Sequence, residues 1–142
     1  MSPRNIGRTA PCTKADATIR LEQARKFYEV AELVQTEADI LGSAANVAAS
    51  LAVLAGIAAC DAACCAALGR RSRSQDHKAA VDLLRQIEPE GADAAAKLDR
   101  LLDLKDSVHY GVVYISTADL KAAMRNARSV LMFSSAILRR NR

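Results

Sequence analysis

Apolar residues recur along this chain at steps of three and four, the spacing of one face of an α-helix rather than the alternation of a half-buried strand. Ala24, Phe27, Ala31, Val34, Ala38 and Leu41 form the first such stripe, with Tyr28 beside it. Arg20, Glu22, Arg25, Lys26, Glu29 and Glu32 fall on the wet side, so a helix is expected over about 14–41, capped by Thr13 or Asp16. Gly42 breaks the pattern and Ser43 offers a new cap for a second helix over about 44–68. There the periodicity fades because nearly everything is apolar: between Ile40 and Leu68 the only formal charge is Asp61. Ala44, Ala48, Ala52, Gly56, Cys60 and Cys64 make a ridge of small residues over which a neighbouring backbone can pass closely, flanked by Val47, Leu51 and Leu54.

Gly69 suits a left-handed helix stop. The pattern resumes with Ala80, Leu83, Leu84 and Ile87, predicting a third helix over about 76–88 with Ser74 or Asp76 as cap. After the turn Pro89-Glu90-Gly91, Ala95, Leu98, Leu101 and Leu102 predict a fourth over about 92–106. Residues 109–115 are β-branched and aromatic, but without a partner strand they read as a loop lying on the helices. Ser116 with Asp119 resembles a capping box opening a last helix over about 117–139, striped by Leu120, Met124, Ala127, Leu131, Ser134/Ser135 and Leu138. The expectation is an all-α protein, a four- to five-helix up-and-down-type bundle over residues 13–142, behind a flexible basic tail of residues 1–12.

Composition sharpens this picture in three ways. Aromatics are 4% of 142 residues and tryptophan is absent, so the core must be filled by closely approaching helices. The net charge of +4 is compatible with nucleic acid, and the cations concentrate at 4–26, 70–78 and 121–142. The four cysteines, Cys12, Cys60, Cys64 and Cys65, follow no apolar leader and read as reduced thiols of a cytosolic protein. A metal site is the alternative for them, but Cys-x3-Cys-Cys is not a zinc-knuckle spacing and two further ligands would be needed. No glycine-rich phosphate loop is present, so neither metal nor cofactor is expected. The second helix has the length of a membrane span, yet Asn46, Ser50 and Asp61 interrupt it and its amphipathic neighbours need an apolar partner. It is expected at the centre of the bundle rather than in a membrane.

The chemistry concentrates in Gly69-Arg70-Arg71-Ser72-Arg73-Ser74-Gln75-Asp76-His77. An imidazole can take and return a proton near neutral pH, and guanidinium forks match phosphate oxygens. His77 is the candidate general base toward a ribose 2′-hydroxyl, and Arg71 the group that neutralises charge building on the phosphate. Free N–H groups at the following helix start offer a place for another phosphate oxygen. The blander reading is a solvated connection. Lys105, His109 and Tyr110 form a second candidate cluster, either touching RNA in the same cleft or pinning a loop with the Tyr110 ring buried. Asp61, costly to bury alone, is expected to pair across the bundle with Arg71 or Arg73.

The arginine-to-histidine run resembles the signature of the HEPN superfamily: an arginine, four to six residues, then a histidine. Arg71 leaves five residues before His77 and Arg70 leaves six, so both registers fit. The surrounding order is similar too, with an alanine-rich helix before the run, Val81 and Leu84 after it, and Tyr110–Ser116 leading into a final helix. The resemblance covers residues 15–138. It implies a metal-independent endoribonuclease whose dimer joins two Arg/His pairs in one cleft, serving as a toxin beside a nucleotidyltransferase-type antitoxin or in phage defence. Arg71 and His77 would be catalytic, with Arg70, Ser72, Arg73 and Asp76 supporting. Ser72 stands where the family often has Asn, Asp or His, and Ala79 where some toxins carry a tyrosine that the antitoxin modifies. Two rivals accompany this reading: a non-catalytic module for nucleic acid or nucleotide, and a helical adaptor whose alanine ridge is an oligomer interface.

Overall fold

A computed structural model describes residues 8–37, 42–73 and 77–141. Its elements are β1 (Thr9–Pro11), α1 (Lys14–Gln35), α2 (Gly42–Leu68), β2 (Arg70–Ser72), α3 (Lys78–Arg85), α4 (Gly91–Tyr110) and α5 (Thr117–Arg140). The protein is an all-α bundle of five helices with one small two-stranded ribbon among the described residues.

The central element is α2. It packs on α1 most extensively, then on α5, α4 and α3. From Ala58 to Ala66 every residue is buried, which for a helix means neighbours on all sides. The small-residue ridge is covered inside the bundle: Ala48 and Ala52 are inaccessible, and Cys60 and Cys64 nearly so. That leaves no exposed ridge of the kind the adaptor reading requires. By length and composition α2 could cross a membrane, but 72% of its most apolar window is buried within the protein. The larger core side chains, Leu83, Leu84, Leu98, Leu101, Val130 and Ile137, come from the helices around it. Ser134 of α5, fully buried, donates its hydroxyl to the Ala59 carbonyl of α2.

Local chemistry explains where the helix ends depart from expectation. The N-terminus of α1 carries the full reciprocal box: Asp16 N–H donates to Thr13 Oγ1 at 3.0 Å, and Thr13 N–H donates to Asp16 Oδ2 at 2.8 Å. The helix stops at Gln35, not 41, where the Thr36 hydroxyl donates to the Leu33 carbonyl and Glu37 N–H to Val34 O. Ala38 and Leu41 lie outside the described residues. The shorter α3 ends as Gln86 and Ile87 tighten onto carbonyls three residues back, before the cis Glu88–Pro89 bond and the left-handed Glu90. The longer α4 absorbs His109 and Tyr110, and Gly111 N–H closes its end onto Ser107 O. At α5, Asp119 N–H donates to Ser116 Oγ, placing the cap where expected.

Two expectations are corrected. Residues 9–12 are no loose tail: β1 pairs antiparallel with β2, in the register Thr9 with Ser72, Ala10 with Arg71 and Pro11 with Arg70. Cys12 and Cys65 are not thiols but a disulfide, joining that ribbon to the end of α2. Cys60 and Cys64 alone remain free, and both are buried. The sequence signal for the bond was weak, because 53 positions separate its partners. Only the folding back of the N-terminal segment brings them together.

Candidate functional site

Gly69 builds the corner from which the site hangs. Its φ of 70° lies where side-chain-bearing residues are strained, and its N–H donates to Cys65 O, ending α2. Its carbonyl then accepts from Cys12 N–H at 3.0 Å, and Arg73 N–H donates to Arg8 O at 2.7 Å, fastening the ribbon at both ends. Side chains alternate along a strand, so Arg70 and Arg71 project to opposite faces. Arg70 and Ser72 are half-buried while Arg71 is exposed. Arg71 borders a groove of about 430 Å³, shared with Pro11, Cys12, Asp16, Ile19 and Arg20.

Arg20, which lines this groove, also holds Asp61 of α2, only 8% exposed. Its carboxylate accepts from Arg20 Nη2 at 2.9 Å and from Arg20 Nε at 3.2 Å. The expected partner was Arg71 or Arg73; α1 supplies Arg20 instead. Burial raises the Asp61 carboxyl above its usual value, and the opposing pull comes first from Arg20, then from Arg71 and His77. Arg71 and, when it is protonated, His77 thus both favour the charged form of the same buried carboxylate. Arg71 also lowers Asp16, whose carboxyl is held down chiefly by hydrogen bonding to Thr13.

His77 is half-buried at the N-terminal boundary of α3, where its side chain makes no capping bond and its carbonyl accepts from Ala80 N–H. The next residue fixes the helix start: Lys78 Nζ forms ion pairs with Asp99 and, at 2.8 Å, with Asp103 of α4. Asp76, with Ser74 and Gln75, lies outside the described residues. Arg73 is exposed beyond the ribbon.

The second cluster does not join this site. Val108 O accepts the Ser50 hydroxyl of α2 at 3.1 Å, which sets the C-terminal turn of α4 against the early part of α2. Ser50 and Asp61 are separated by roughly 16 Å of helix rise. Lys105 and His109 are half-buried, and the Tyr110 ring, expected to be buried, is 75% exposed. The His109 and Tyr110 rings meet edge to face at 5.9 Å, and His109 Nε2 is shielded with no hydrogen-bond partner among the described residues. Tyr110 is the last residue of α4, and Gly111 after it turns to extended backbone. Val112, Val113 and Tyr114 are exposed as well.

Sequence reasoning missed Arg20 and Asp16 as neighbours of the site. Arg20 had been placed on the solvent side of its helix, although a lone acid in an apolar helix demands a cation from somewhere. Among the described residues, no three of His, Cys, Asp and Glu gather as a metal site would require. Hydrogen bonding with Cys64, then burial, raises the Cys60 thiol well above its usual range, the setting of an inert cysteine. No family model matches the chain, and no curated protein matches it in sequence.

Proposed function

We propose that this protein is a metal-independent endoribonuclease acting through Arg71 and His77, as the HEPN resemblance implies. The observation that carries the reading is Arg71 exposed at the rim of an open groove, on the strand that leads from α2 toward His77 at the start of α3. In the reaction, neutral His77 accepts the proton of a ribose 2′-hydroxyl and the freed oxygen attacks the adjacent phosphorus. Arg71 stabilises the charge that gathers on the phosphoryl oxygens. The 5′-oxygen leaves and takes a proton from water or a second imidazole, giving a 2′,3′-cyclic phosphate and a 5′-hydroxyl. A homodimer supplies that second Arg/His set, and a nucleotidyltransferase-type antitoxin is the partner this reading anticipates.

Compartment is part of the proposal. Burial of α2 in the bundle supports a protein that works off the membrane, and the compartment proposed for it is the cytoplasm. The Cys12–Cys65 bond is of a kind uncommon there, and its persistence in a cell extract is a direct check.

The test is incubation of the purified protein with a mixed RNA pool in EDTA, beside Arg71→Ala and His77→Ala. Cleavage with cyclic-phosphate ends is expected, falling by about 10²–10⁴-fold in the His77 variant. RNA retention without cleavage, unchanged by His77→Ala, would identify the non-catalytic module instead. Cleavage abolished by EDTA would overturn the mechanism.

A further inference from the structure

On the side of α1 away from the Arg71 groove, a second cleft opens against α5. Residues 14, 21 and 25 lie about half a turn around the helix from 16, 19 and 20, at roughly 100° per residue. Lys14 and Arg25 of α1 face Ser135 and Arg139 of α5 across about 300 Å³, over a floor of Leu21 and Leu138.

The hydrogen bonding here differs from that of the ion-paired cations. Arg20, Lys26, Lys78, Arg85 and Lys97 each meet a carboxylate. Arg25 Nη2 and Arg139 Nη1 instead both donate to one neutral hydroxyl, Ser135 Oγ, at 3.0 and 3.1 Å. A hydroxyl has two acceptor lone pairs and no charge to return. Two guanidiniums are thus held side by side, with Lys14 nearby and no acid among the described lining residues. Most of their ten N–H donors meet no acceptor among the described residues, in a fork geometry suited to a multiply charged oxyanion.

We propose that this cleft binds a phosphomonoester of nucleotide size. Three cations match a dianionic phosphate better than a single carboxylate. The leucine floor takes the less polar part of the ligand, and the volume is at the small end of ligand pockets. The phosphate can come from a free nucleoside monophosphate or from the 5′ end of an RNA. The site is independent of Arg71 and His77.

The experiment is calorimetric titration of the full chain with AMP, adenosine, and a short RNA with and without a 5′-phosphate. AMP is expected to bind and adenosine not. Arg25→Gln and Arg139→Gln, checked for fold by circular dichroism, should each weaken AMP by roughly tenfold or more, as loss of a charged hydrogen-bond donor does. Arg71→Ala should leave it within about twofold, because the two sites share no residue. Preference for 5′-phosphorylated RNA over AMP assigns the RNA end as the source; the reverse assigns the free nucleotide. Equal binding of adenosine and AMP, no AMP binding up to about 10 mM, or full affinity in both arginine variants overturns the proposal.

Discussion

The two ends of α2 are built from the same kinds of small residue and held in opposite ways. At the Leu68 end the helix is tied to three neighbouring elements by three kinds of restraint. The helix is covalently joined to β1 by Cys12–Cys65, ion-paired to α1 through Asp61 and Arg20, and linked to α3 by the Cys60 thiol donating to Ala80 O. At the Gly42 end the restraints are hydrogen bonds alone, to the end of α4 and the segment that follows it. Asn46 donates to Val113 O and accepts from Ile115 N–H, and Ser50 donates to Val108 O. Val47, Tyr110, Val112, Val113 and Tyr114 stand exposed there. The candidate pair belongs to the Leu68 end, with Arg71 on β2 and His77 at the start of α3. The aromatic and β-branched segment belongs to the Gly42 end.

Cutting the covalent restraint is the strongest way to break this contrast. The bond closes a loop spanning 53 positions, for which the chain-entropy relation gives about 4 kcal/mol as the stabilisation lost on removal. Cys12→Ser, or reduction of the wild type, should lower the urea midpoint accordingly, and reductant should then have no further effect on the variant. An unchanged midpoint would mean that the ribbon is held equally well by its backbone bonds and that the two ends differ less than the contacts suggest.

Glycine substitutions sharpen the comparison on a smaller scale. A Cβ on Gly56 would approach Leu101 Cδ1 to 2.6 Å, and one on Gly42 would approach the Tyr114 ring to the same 2.6 Å. The distances agree but the neighbours do not: Leu101 is fully buried, whereas Tyr114 is 68% exposed and can swing aside. Gly56→Ala should therefore cost about 1 kcal/mol net, overpacking outweighing the gain in helix propensity. Gly42→Ala should stay within about 0.5 kcal/mol of wild type. Thermal or urea denaturation of the pair reads the difference directly, and equal losses would show the Gly42 end to be as tightly packed as the middle.

The same contrast decides what could be read in advance. Periodic stripes and caps placed all five helices, because a helix with one apolar face declares itself in three- and four-residue steps whatever it packs against. The bounds slipped where short-range bonds competed, at Thr36 and at Gly111. The corner at Gly69–His77 stands out in the sequence because three arginines and a histidine there serve no stripe. What surrounds it does not. Arg20 reaches Asp61 across 41 positions, and Cys12 reaches Cys65 across 53. Neither pairing leaves a mark in local periodicity, since each is fixed only when α1 and α2 dock. Tyr110 misled for the complementary reason: an aromatic ring signals burial only where other elements close over it.

The finest distinction lies between the two carboxylates near Arg71, and its signs are opposite. Asp16 is lowered from 3.8, first by hydrogen bonding to Thr13, so the stability it contributes is present above that value and lost as pH falls through its folded value. Asp61 is raised from 3.8 by burial, so between 3.8 and its folded value the native state binds more protons than the unfolded chain. Its contribution is present below 3.8 and lost as pH rises through the folded value, with Arg20, Arg71 and His77 limiting the loss. Urea denaturation from pH 3 to pH 7 should show the stability difference between Asp61→Asn and wild type moving in the variant's favour as pH rises. For Asp16→Asn the difference should move against the variant over the same range. Arg71 lowers both carboxyls, so Arg71→Gln should shift both titrations upward together, the smallest effect and the most specific. A shift confined to one of them would mean that Arg71 faces a single acid, and that the groove and the buried pair are electrostatically separate.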